Sequence, residues 1–475
     1  MSKVSLETDD MQGLLARGYG SLPFASYLLL GVADAAAASG TLAGWAGQLT
    51  TARRRPDDVA VNLALTAAGV EALAPDVAKR GVFSEQFTTG MTTGYRSRLL
   101  GDTGEDDPRG WAWGGSASDV VHLLLLVYAD TADRLSARCD ELTGEAESGG
   151  LRLLDRLATS ELTPTENFGF HDGISQPQIE GLGAGRAPGE VKAGEFVLGY
   201  PNEYGLLTER PLLPASADPR GLLPRDAGGS CDLGRNGSYL VLRTLRQDVD
   251  AFHAFTDTAT RDAGGRPDPA QASLLAAKIV GRWPSGAPLV LAPGQDDPSL
   301  ADSNDFGYHE FDARGLACPL GSHVRRTNPR DSLEPGPGTE ASMAINRRHR
   351  LLRRGRAYGS PTSGEECGVH FICLNSNLAR QYEFVQHTWV NNPVFNGLED
   401  EPDPLVGRRG SKRSYFTAPA RPVRRRYTEL PQFVHVRGGA YFFLPGIRAL
   451  RFLASANSAV SANSANRAVS AGGTT

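Results

Sequence analysis

The residues from 119 to 158 read DVVHLLLLVYAD, TADRLSARCDELTGEAESGG and LRLLDRLA, three segments of different character. The apolar run from Asp119 to Tyr128 predicts a buried strand. The segment from Thr131 to Leu142 predicts a helix, and Leu151 to Ala158 predicts a strand that returns beside the first. This stretch is therefore a strand–helix–strand unit.

The segments on its N-terminal side extend this unit. Ser26 to Leu30 predicts a strand, and the Ala-rich stretch from Asp34 to Leu49 predicts a helix. Val59 to Leu65 alternates apolar and small residues, which indicates another strand, and a short helix is predicted near 67–75. The combined order is β-α-β-β-α-β, the split βαβ or ferredoxin-like arrangement.

The second half of the chain repeats this order of elements. Its first strand begins Ser238-Tyr239-Leu240, a short echo of Ser26-Tyr27-Leu28. The further predicted elements are a helix from Asp248, a strand at Val369–Leu374, a helix at Leu378–Val390 and short strands at Phe433–Val436 and Tyr441–Leu444. We therefore predict an α+β fold of two ferredoxin-like halves with antiparallel sheets, a duplicated arrangement similar to a dimeric α+β barrel.

This repeat divides the chain into an N-terminal half, 1–204, and a C-terminal half, 237–453. Residues 205–236 are rich in Pro, Gly and Asp and are predicted to connect the halves. Residues 284–318 have a similar composition and predict a long loop, a kind of segment that often carries function. The Ser/Ala/Asn-rich stretch 454–475 predicts a disordered tail, with a frayed helix end as the alternative.

The overall composition restricts the classes of protein. The chain of 475 residues is 40% hydrophobic and 22% charged, with a net charge of -5, so it lacks the global basic character of nucleic-acid-binding proteins. Its five cysteines form no CxxC pair, which argues against a disulfide framework and fits a reducing compartment. The acidic N-terminus does not resemble a secretory signal, and the longest apolar run is too short to cross a membrane. We therefore expect a cytoplasmic protein.

A first candidate site is Asn167 to Pro177, which reads NFGFHDGISQP. Gly169 and Gly173 bracket a tight turn that would present Asp172 at the mouth of a pocket. A turn with an Asx hydrogen bond explains the same residues without any chemistry. His171 is an alternative reactive group, although neighbouring side chains in an extended segment point in different directions.

A second candidate site is the segment CPLGSHVRRTNPR, residues 318–330, in which His323 stands among arginines. A neutral imidazole is a good ligand for iron. The nearby guanidinium groups of Arg325, Arg326 and Arg330 suit the two carboxylates of a porphyrin. A core histidine in a basic loop is the simpler alternative.

A third candidate site is the segment RLLRRGRAYG, residues 350–359, which carries four arginines: Arg350, Arg353, Arg354 and Arg356. An arginine that reaches a buried pocket can stabilise developing negative charge. A solvated or nucleic-acid-facing basic patch would have the same composition.

Taken together and in this order, the three segments resemble the dye-decolorizing peroxidase family, in its larger subclass. GFHDGISQP is similar to the family's GxxDG motif and makes Asp172 the distal acid–base. GSHVRRTNPR resembles the segment with the iron ligand, here His323. RRGRAYG resembles the segment with the distal arginine, which is Arg353 or, after a slip of one residue, Arg354. The likeness extends over roughly residues 20–450.

The resemblance implies that the chain binds haem b and that His323 is the axial ligand of its iron. Asp403, in a late DPxxG segment, would hold the far nitrogen of His323. The other residues that we expect at the cofactor are Gly173, Ile174, Ser175, Arg325, Arg326, Val369 and Phe371.

The activity that the resemblance implies is the use of hydrogen peroxide to oxidise bulky dyes or phenolic and aromatic compounds. A carboxylate shuttle predicts a preference for acidic pH relative to an imidazole-based peroxidase. Bulky donors would need surface residues to relay electrons; Trp389, Trp283 and Tyr358 are candidates, with core packing as the alternative for each.

Two other functions share some of these features. A haem-handling protein without peroxidase turnover would keep His323 and would not depend on Asp172 or Arg353. An RNA-binding ferredoxin-like protein would use the arginines, but the acidic net charge and the lack of an aromatic RNA-binding motif disfavour it. We expect no nucleic-acid or membrane partner, and the sequence leaves a homo-oligomer open.

Overall fold

One antiparallel sheet organises the computed structural model, which describes residues 5–183, 189–409 and 414–456. The strands are β1 (Phe24–Val32), β2 (Val59–Leu65), β3 (Leu123–Ala129), β4 (Leu151–Ala158), β5 (Leu212–Leu213), β6 (Cys231–Asp232), β7 (Ser238–Gln247), β8 (Leu352–Arg353), β9 (Arg356–Tyr358), β10 (Gly368–Asn375), β11 (Tyr415–Ala418), β12 (Arg425–Thr428) and β13 (Val434–Leu444). The α-helices are α1 (Gly13–Ala16), α2 (Ala35–Trp45), α3 (Ala67–Leu73), α4 (Pro75–Ala78), α5 (Glu85–Thr89), α6 (Gly94–Leu100), α7 (Ala132–Ser148), α8 (Val249–Ala259), α9 (Pro269–Val280), α10 (Tyr308–Asp312), α11 (His323–Thr327) and α12 (Glu340–Arg348).

The order of strands in this sheet shows the duplication directly. The order is β4-β1-β3-β2 in the N-terminal half and β13-β7-β10-β8 in the C-terminal half, with β9 also paired to β10. Each half thus places its fourth, first, third and second strands side by side, the ferredoxin-like order. The halves join where Phe443 of β13 pairs with Leu65 of β2. The predicted fold class is confirmed.

The N-terminal half forms as its sequence predicts. All seven residues of β3 are buried, because apolar side chains face a packed layer on each side of the sheet. Thr131 begins α7 by accepting a hydrogen bond from the backbone N–H of Arg134. Asp34 begins α2 in the same way, through the N–H groups of Ala36 and Ala37.

The C-terminal half departs from the prediction in the last strand. The two short strands expected at 433–436 and 441–444 are one strand, β13, with a bulge between Val436 and Gly438. Glycine is required there because a side chain at Gly438 would collide with the indole of Trp113. The helix predicted at 378–390 is present as two π-helical segments, Ala379–Glu383 and Val385–Val390.

Other segments contain helices or strands that the sequence did not predict. Helix α9 and the β11–β12 hairpin were both missed, and the long loop 284–318 contains α10. Residues 205–236, predicted to connect the halves, hold only the short strands β5 and β6 and a 3-10 turn, Ala215–Ala217; the domain limits stay a prediction. Residues 447–456 are helical and Ala454 is buried, so 454–456 extend this helix. The remainder of the predicted tail, 457–475, lies outside the described residues.

The sequence predicted neither a disulfide framework nor a membrane-spanning segment. All five cysteines are buried and unpaired. Within the described ranges, no helix combines the length and the apolar character needed to cross a bilayer.

Candidate functional site

A cavity of about 300 Å³ lies on one face of the C-terminal half of the sheet. Alternate residues of three adjacent strands form its floor, with Leu245 of β7 paired to both Val369 of β10 and Val436 of β13. Its walls are largely apolar; they include Phe168, Phe170, Val324, Phe371, Val385, Val390 and Leu405. The predicted contacts Ile174, Ser175, Val369 and Phe371 all line this cavity, whereas Gly173 does not.

The turn that carries Asp172 is held in place by a buried carboxylate. Glu166 accepts hydrogen bonds from the N–H groups of Phe168 at 3.0 Å and Phe170 at 3.1 Å, and from the amide of Gln247 at 2.6 Å. Burial raises the pKa of Glu166 above its ordinary value, although these hydrogen bonds oppose the shift. Both phenylalanine side chains are buried, so the turn is anchored on each side of Gly169, whose φ is 92°.

Asp172 lies beside Arg353 on the wall of this cavity. Its Oδ1 is 3.4 Å from Nη2 of Arg353, and the Asp172 side chain is 61% exposed. The two segments are tied together because the side-chain oxygen of Gln176 accepts the backbone N–H of Arg353 at 3.0 Å. His171 also lines the cavity, but its Nδ1 is 3.2 Å from the carbonyl oxygen of Ser285. The two neighbouring candidates therefore have different partners.

The neighbouring arginines of the same segment form hydrogen bonds away from the cavity. Arg354 donates to the carbonyl oxygens of Leu14 and Leu15. Arg356 is buried and donates to four carbonyl oxygens between Gly18 and Pro23. Of the three arginines from 353 to 356, only Arg353 lines the cavity.

His323 is the first residue of α11, and it lines the same cavity. Its Nδ1 is 3.0 Å from Oδ2 of Asp403, a fully buried carboxylate whose Oδ1 accepts the backbone N–H groups of Leu405 and Val406. Burial pushes the pKa of Asp403 upward, but His323, Arg326 and these N–H groups hold it below its ordinary value. With Nδ1 oriented in this way, Nε2 remains available to a ligand.

Contrary to the prediction, Arg325 and Arg326 do not line the cavity. Arg325 lies about 200° around the helix from His323, and it donates to the carbonyl oxygens of Asp312 and Cys318. Arg326 donates to carbonyl oxygens of the 389–401 region, among them that of Trp389 at 2.6 Å. Both side chains are fully buried and hold the backbone around α11.

Besides Arg353, three arginines without a carboxylate partner line the cavity: Arg282, Arg330 and Arg350. Arg243 and Arg408 line it too, but they pair with Asp102 and Asp106. Burial lowers the pKa of Arg350 to about 9, with help from the charges of Arg330 and Arg353, and burial lowers that of Arg282 to about 10. Within the described part of the chain, none of these three is within 4.0 Å of a carboxylate, and their main partners are backbone carbonyl oxygens.

Arg282 is buried, and Arg330 and Arg350 are half-buried. Cations held away from water without an anionic partner are costly, so these three arginines suit a ligand that brings negative charge. Arg330 is one of the three arginines that the sequence suggested for the porphyrin carboxylates, and Arg350 belongs to the third candidate segment, whereas Arg282 gave no signal in the sequence. One available imidazole nitrogen, apolar walls and a cationic edge together fit an iron porphyrin with two carboxylates. No cluster of three or more His, Cys, Asp or Glu suited to a bare metal ion occurs in the described ranges.

The three aromatic residues proposed as electron relays do not line the cavity. Trp389 and Trp283 are each 4% exposed, and the indole N–H of Trp283 donates to the carbonyl oxygen of Ala292. Tyr358 is partly exposed; it stacks on His370, with ring centroids 4.6 Å apart, and donates to Glu366. Core packing thus accounts for both tryptophans.

Comparison with known proteins finds similarity along most of the chain. A dye-decolorizing peroxidase of Exidia glandulosa is 30% identical across an alignment that covers 94% of this chain and 87% of the relative. The multifunctional dye peroxidase DyP2 of Amycolatopsis sp. is 29% identical, covering 90% of this chain and 91% of the relative. A scan of protein-family models finds no match.

Solved structures are also similar to this chain along most of its length. The Auricularia auricula-judae dye-decolorizing peroxidase complexed with imidazole superposes with a TM-score of 0.77 at 26% identity, covering 95% of this chain and 100% of that one. A dye-decolorizing peroxidase in complex with 2,6-dimethoxyphenol superposes with a TM-score of 0.75 at 25% identity, covering 94% of this chain and 100% of that one.

Proposed function

Because this chain belongs to the dye-decolorizing peroxidase family, we propose that its cavity would hold haem b, with His323 as the iron ligand and the Asp172–Arg353 pair as the groups that act on peroxide. The chain is a haem-dependent peroxidase that uses hydrogen peroxide to oxidise dyes or phenolic compounds. The observation that carries the residue roles is that Asp172, Arg353 and His323, far apart in sequence, line one cavity.

The protein would hold this group by three kinds of contact. Nε2 of His323 would bind the iron, and Asp403 keeps the imidazole oriented for it. The apolar side chains of the walls would cover the faces of the porphyrin. Arg282, Arg330 and Arg350 would pair with its two carboxylates, in place of the predicted Arg325 and Arg326. When bound, haem supplies the redox chemistry.

Asp172 would move the proton that peroxide cleavage requires. Its carboxylate would accept a proton from one oxygen of hydrogen peroxide and return it to the other, so that water leaves. Arg353 lies close enough to Asp172 to position the peroxide and to stabilise negative charge that develops as the O–O bond breaks. His171 suits this role less well because its Nδ1 faces a backbone carbonyl oxygen.

Reconstitution and turnover test these roles. The purified protein should bind haem with a Soret band, and peroxide should then drive oxidation of 2,6-dimethoxyphenol. His323→Ala should lose the axial ligand and change the spectrum, whereas Asp172→Ala should keep the Soret band and react slowly with peroxide. A haem-loaded protein that does not react with peroxide would indicate haem handling instead, and a protein that refuses haem would refute both functions.

We also expect a cytoplasmic location, supported by the five buried, unpaired cysteines, which fit a reducing compartment. Cell fractionation tests this location. Size-exclusion chromatography with light scattering tests for the homo-oligomer that the sequence allows.

A further inference from the structure

A second concavity, of about 280 Å³, lies between α9 and the β11–β12 hairpin. We propose that it binds anionic aromatic electron donors, such as sulfonated dyes, and passes their electrons to the His323 side of the main cavity. The binding step stands on the concavity alone, whereas the electron step rests on the proposed peroxidase function. The residues that carry the argument are Leu275, Lys278, Ala418, Val423, Arg425 and Tyr427.

The charge of this concavity selects an anion. Lys278 and Arg425 both line it, and neither side chain has a hydrogen-bond or ion-pair partner among the residues that the structure describes. Burial lowers the pKa of Lys278, and the nearby Arg425 charge lowers it further, so the two cations destabilise each other. No described Asp or Glu lines the space. A sulfonate or carboxylate placed between the two side chains would remove this repulsion.

The remaining walls select an aromatic body. Leu275 and Ala418 are buried apolar residues at the base, and Val423 is 73% exposed at the rim. Tyr427 offers an aromatic ring, with the guanidinium of Arg425 6.0 Å from its centroid. A sulfonated or carboxylated aromatic compound would place its anionic group between the two cations and its ring against the apolar wall and Tyr427.

A packed path joins this concavity to the candidate iron ligand. Tyr427 stacks on Phe416, its partner across the hairpin, with centroids 6.4 Å apart and planes at 22°. Phe416 is 1% exposed, and a methyl group at Gly321, two residues before His323, would lie 3.7 Å from its ring. The hydroxyl of Ser322 donates to the carbonyl oxygen of Lys278 at 2.5 Å. The concavity and the α11 segment are therefore in direct contact.

The same path reaches the main cavity through one layer of side chains. Leu275 and Phe416 belong to one apolar cluster with Leu405 and Val434, and the last two line the main cavity. A donor in the concavity that carries a phenolic or amino group would give up one electron to the haem site and one proton to solvent. Two such donors balance the reduction of one hydrogen peroxide to two water molecules.

Binding is tested with anthraquinone-2-sulfonate by isothermal titration calorimetry on the holoenzyme. The Lys278→Gln/Arg425→Gln variant should bind about tenfold more weakly, because two charge-assisted contacts are lost. Arg424→Gln is the matched control, since Arg424 is an exposed arginine of the same hairpin outside the concavity. Equal binding by wild type and double variant would overturn the site, whether or not the protein turns over peroxide.

Turnover then tests the electron path. With a sulfonated anthraquinone dye as donor, the double variant should show a KM about tenfold higher, whereas KM for neutral 2,6-dimethoxyphenol should not change. Phe416→Leu, which keeps the packing apolar, should preserve dye binding and lower kcat for the dye alone. An unchanged kcat for the dye in this variant would overturn the path. If the wild type oxidised none of the donors with peroxide, the peroxidase function would be refuted. The calorimetric result alone would then decide whether the concavity binds the anion.

Discussion

The Oδ2 atom of Asp403 lies 3.0 Å from Nδ1 of His323, across 80 residues of sequence. The other carboxylate oxygen is occupied by two backbone N–H groups, so neither residue is free to turn. Such a pair fixes which nitrogen of the imidazole faces the cavity and increases its basicity as a ligand.

Replacing Asp403 with Asn should therefore weaken the iron ligand without removing it. We expect about a 10–100-fold loss in haem affinity or in the rate of the peroxide reaction. Haem titration and stopped-flow absorbance measure the two quantities. Asp400→Asn is the control, because Asp400 is exposed nearby. A variant with unchanged haem affinity and rate would show that Asp403 only supports the local backbone.

Asp172→Asn separates the two neighbouring candidates for the proton shuttle. The variant keeps the size of the side chain and removes its capacity to accept a proton, so the bimolecular rate with peroxide should fall about 10²–10⁴-fold. His171→Gln should stay close to wild type. Stopped-flow mixing with peroxide at several pH values gives both rates. If the two variants exchanged these outcomes, the imidazole would be the shuttle.

Arg350→Met should have opposite effects on the empty and the haem-loaded protein. Removal of a half-buried cation without an anionic partner should raise the thermal stability of the apo-protein. Loss of a contact to a porphyrin carboxylate should weaken haem binding about tenfold. Thermal melts and haem titrations of the same preparations provide the test; unchanged haem affinity would remove Arg350 from the cofactor site.

Arg325→Met is the matched comparison, because this arginine is buried but does not line the cavity. It lies 3.4 Å from the carboxylate of Asp312 and donates to two backbone carbonyl oxygens. Its loss should cost about 3–5 kcal/mol of unfolding free energy. The folded fraction should retain its haem affinity.

His370 makes the fold sensitive to acid. Burial lowers its pKa from 6.5 to about 4, although its hydrogen bond to the carbonyl oxygen of Ala158 opposes the shift. A depressed pKa in the folded state stabilises the protein above pH 6.5, and this contribution is lost as the pH falls towards 4. At about 1.4 kcal/mol per pKa unit, the loss amounts to about 3 kcal/mol.

His370→Gln should therefore flatten the dependence of unfolding free energy on pH between 6.5 and 4. Urea titrations at several pH values, on wild type and variant, measure the two slopes. His309→Gln is the control, because His309 is an exposed histidine of α10. Equal slopes in wild type and in His370→Gln would contradict the assignment.

The sequence predicted the sheet well because its strands are long apolar or alternating runs, as in Leu123–Ala129 and Val59–Leu65. Through the order of three motifs it predicted that Asp172, His323 and Arg353 meet, and the three do line one cavity, while their roles stay a prediction. It failed for Arg325 and Arg326 because proximity in sequence to His323 does not give the rotation of α11. It also missed Arg282, whose position depends on where the long loop after α9 turns back.

The turn with Asp172 belongs to the N-terminal half by sequence but is fastened to the C-terminal half. Glu166 accepts from Gln247, Asn167 donates to the carbonyl oxygen of Gly368 at 2.9 Å, and Gln176 accepts from Arg353. A chain cut within residues 205–236 would yield two fragments, each with an incomplete set of catalytic groups. Because the first fragment carries a turn that hydrogen-bonds to the second, we expect the mixed fragments to associate and to recover activity that neither has alone.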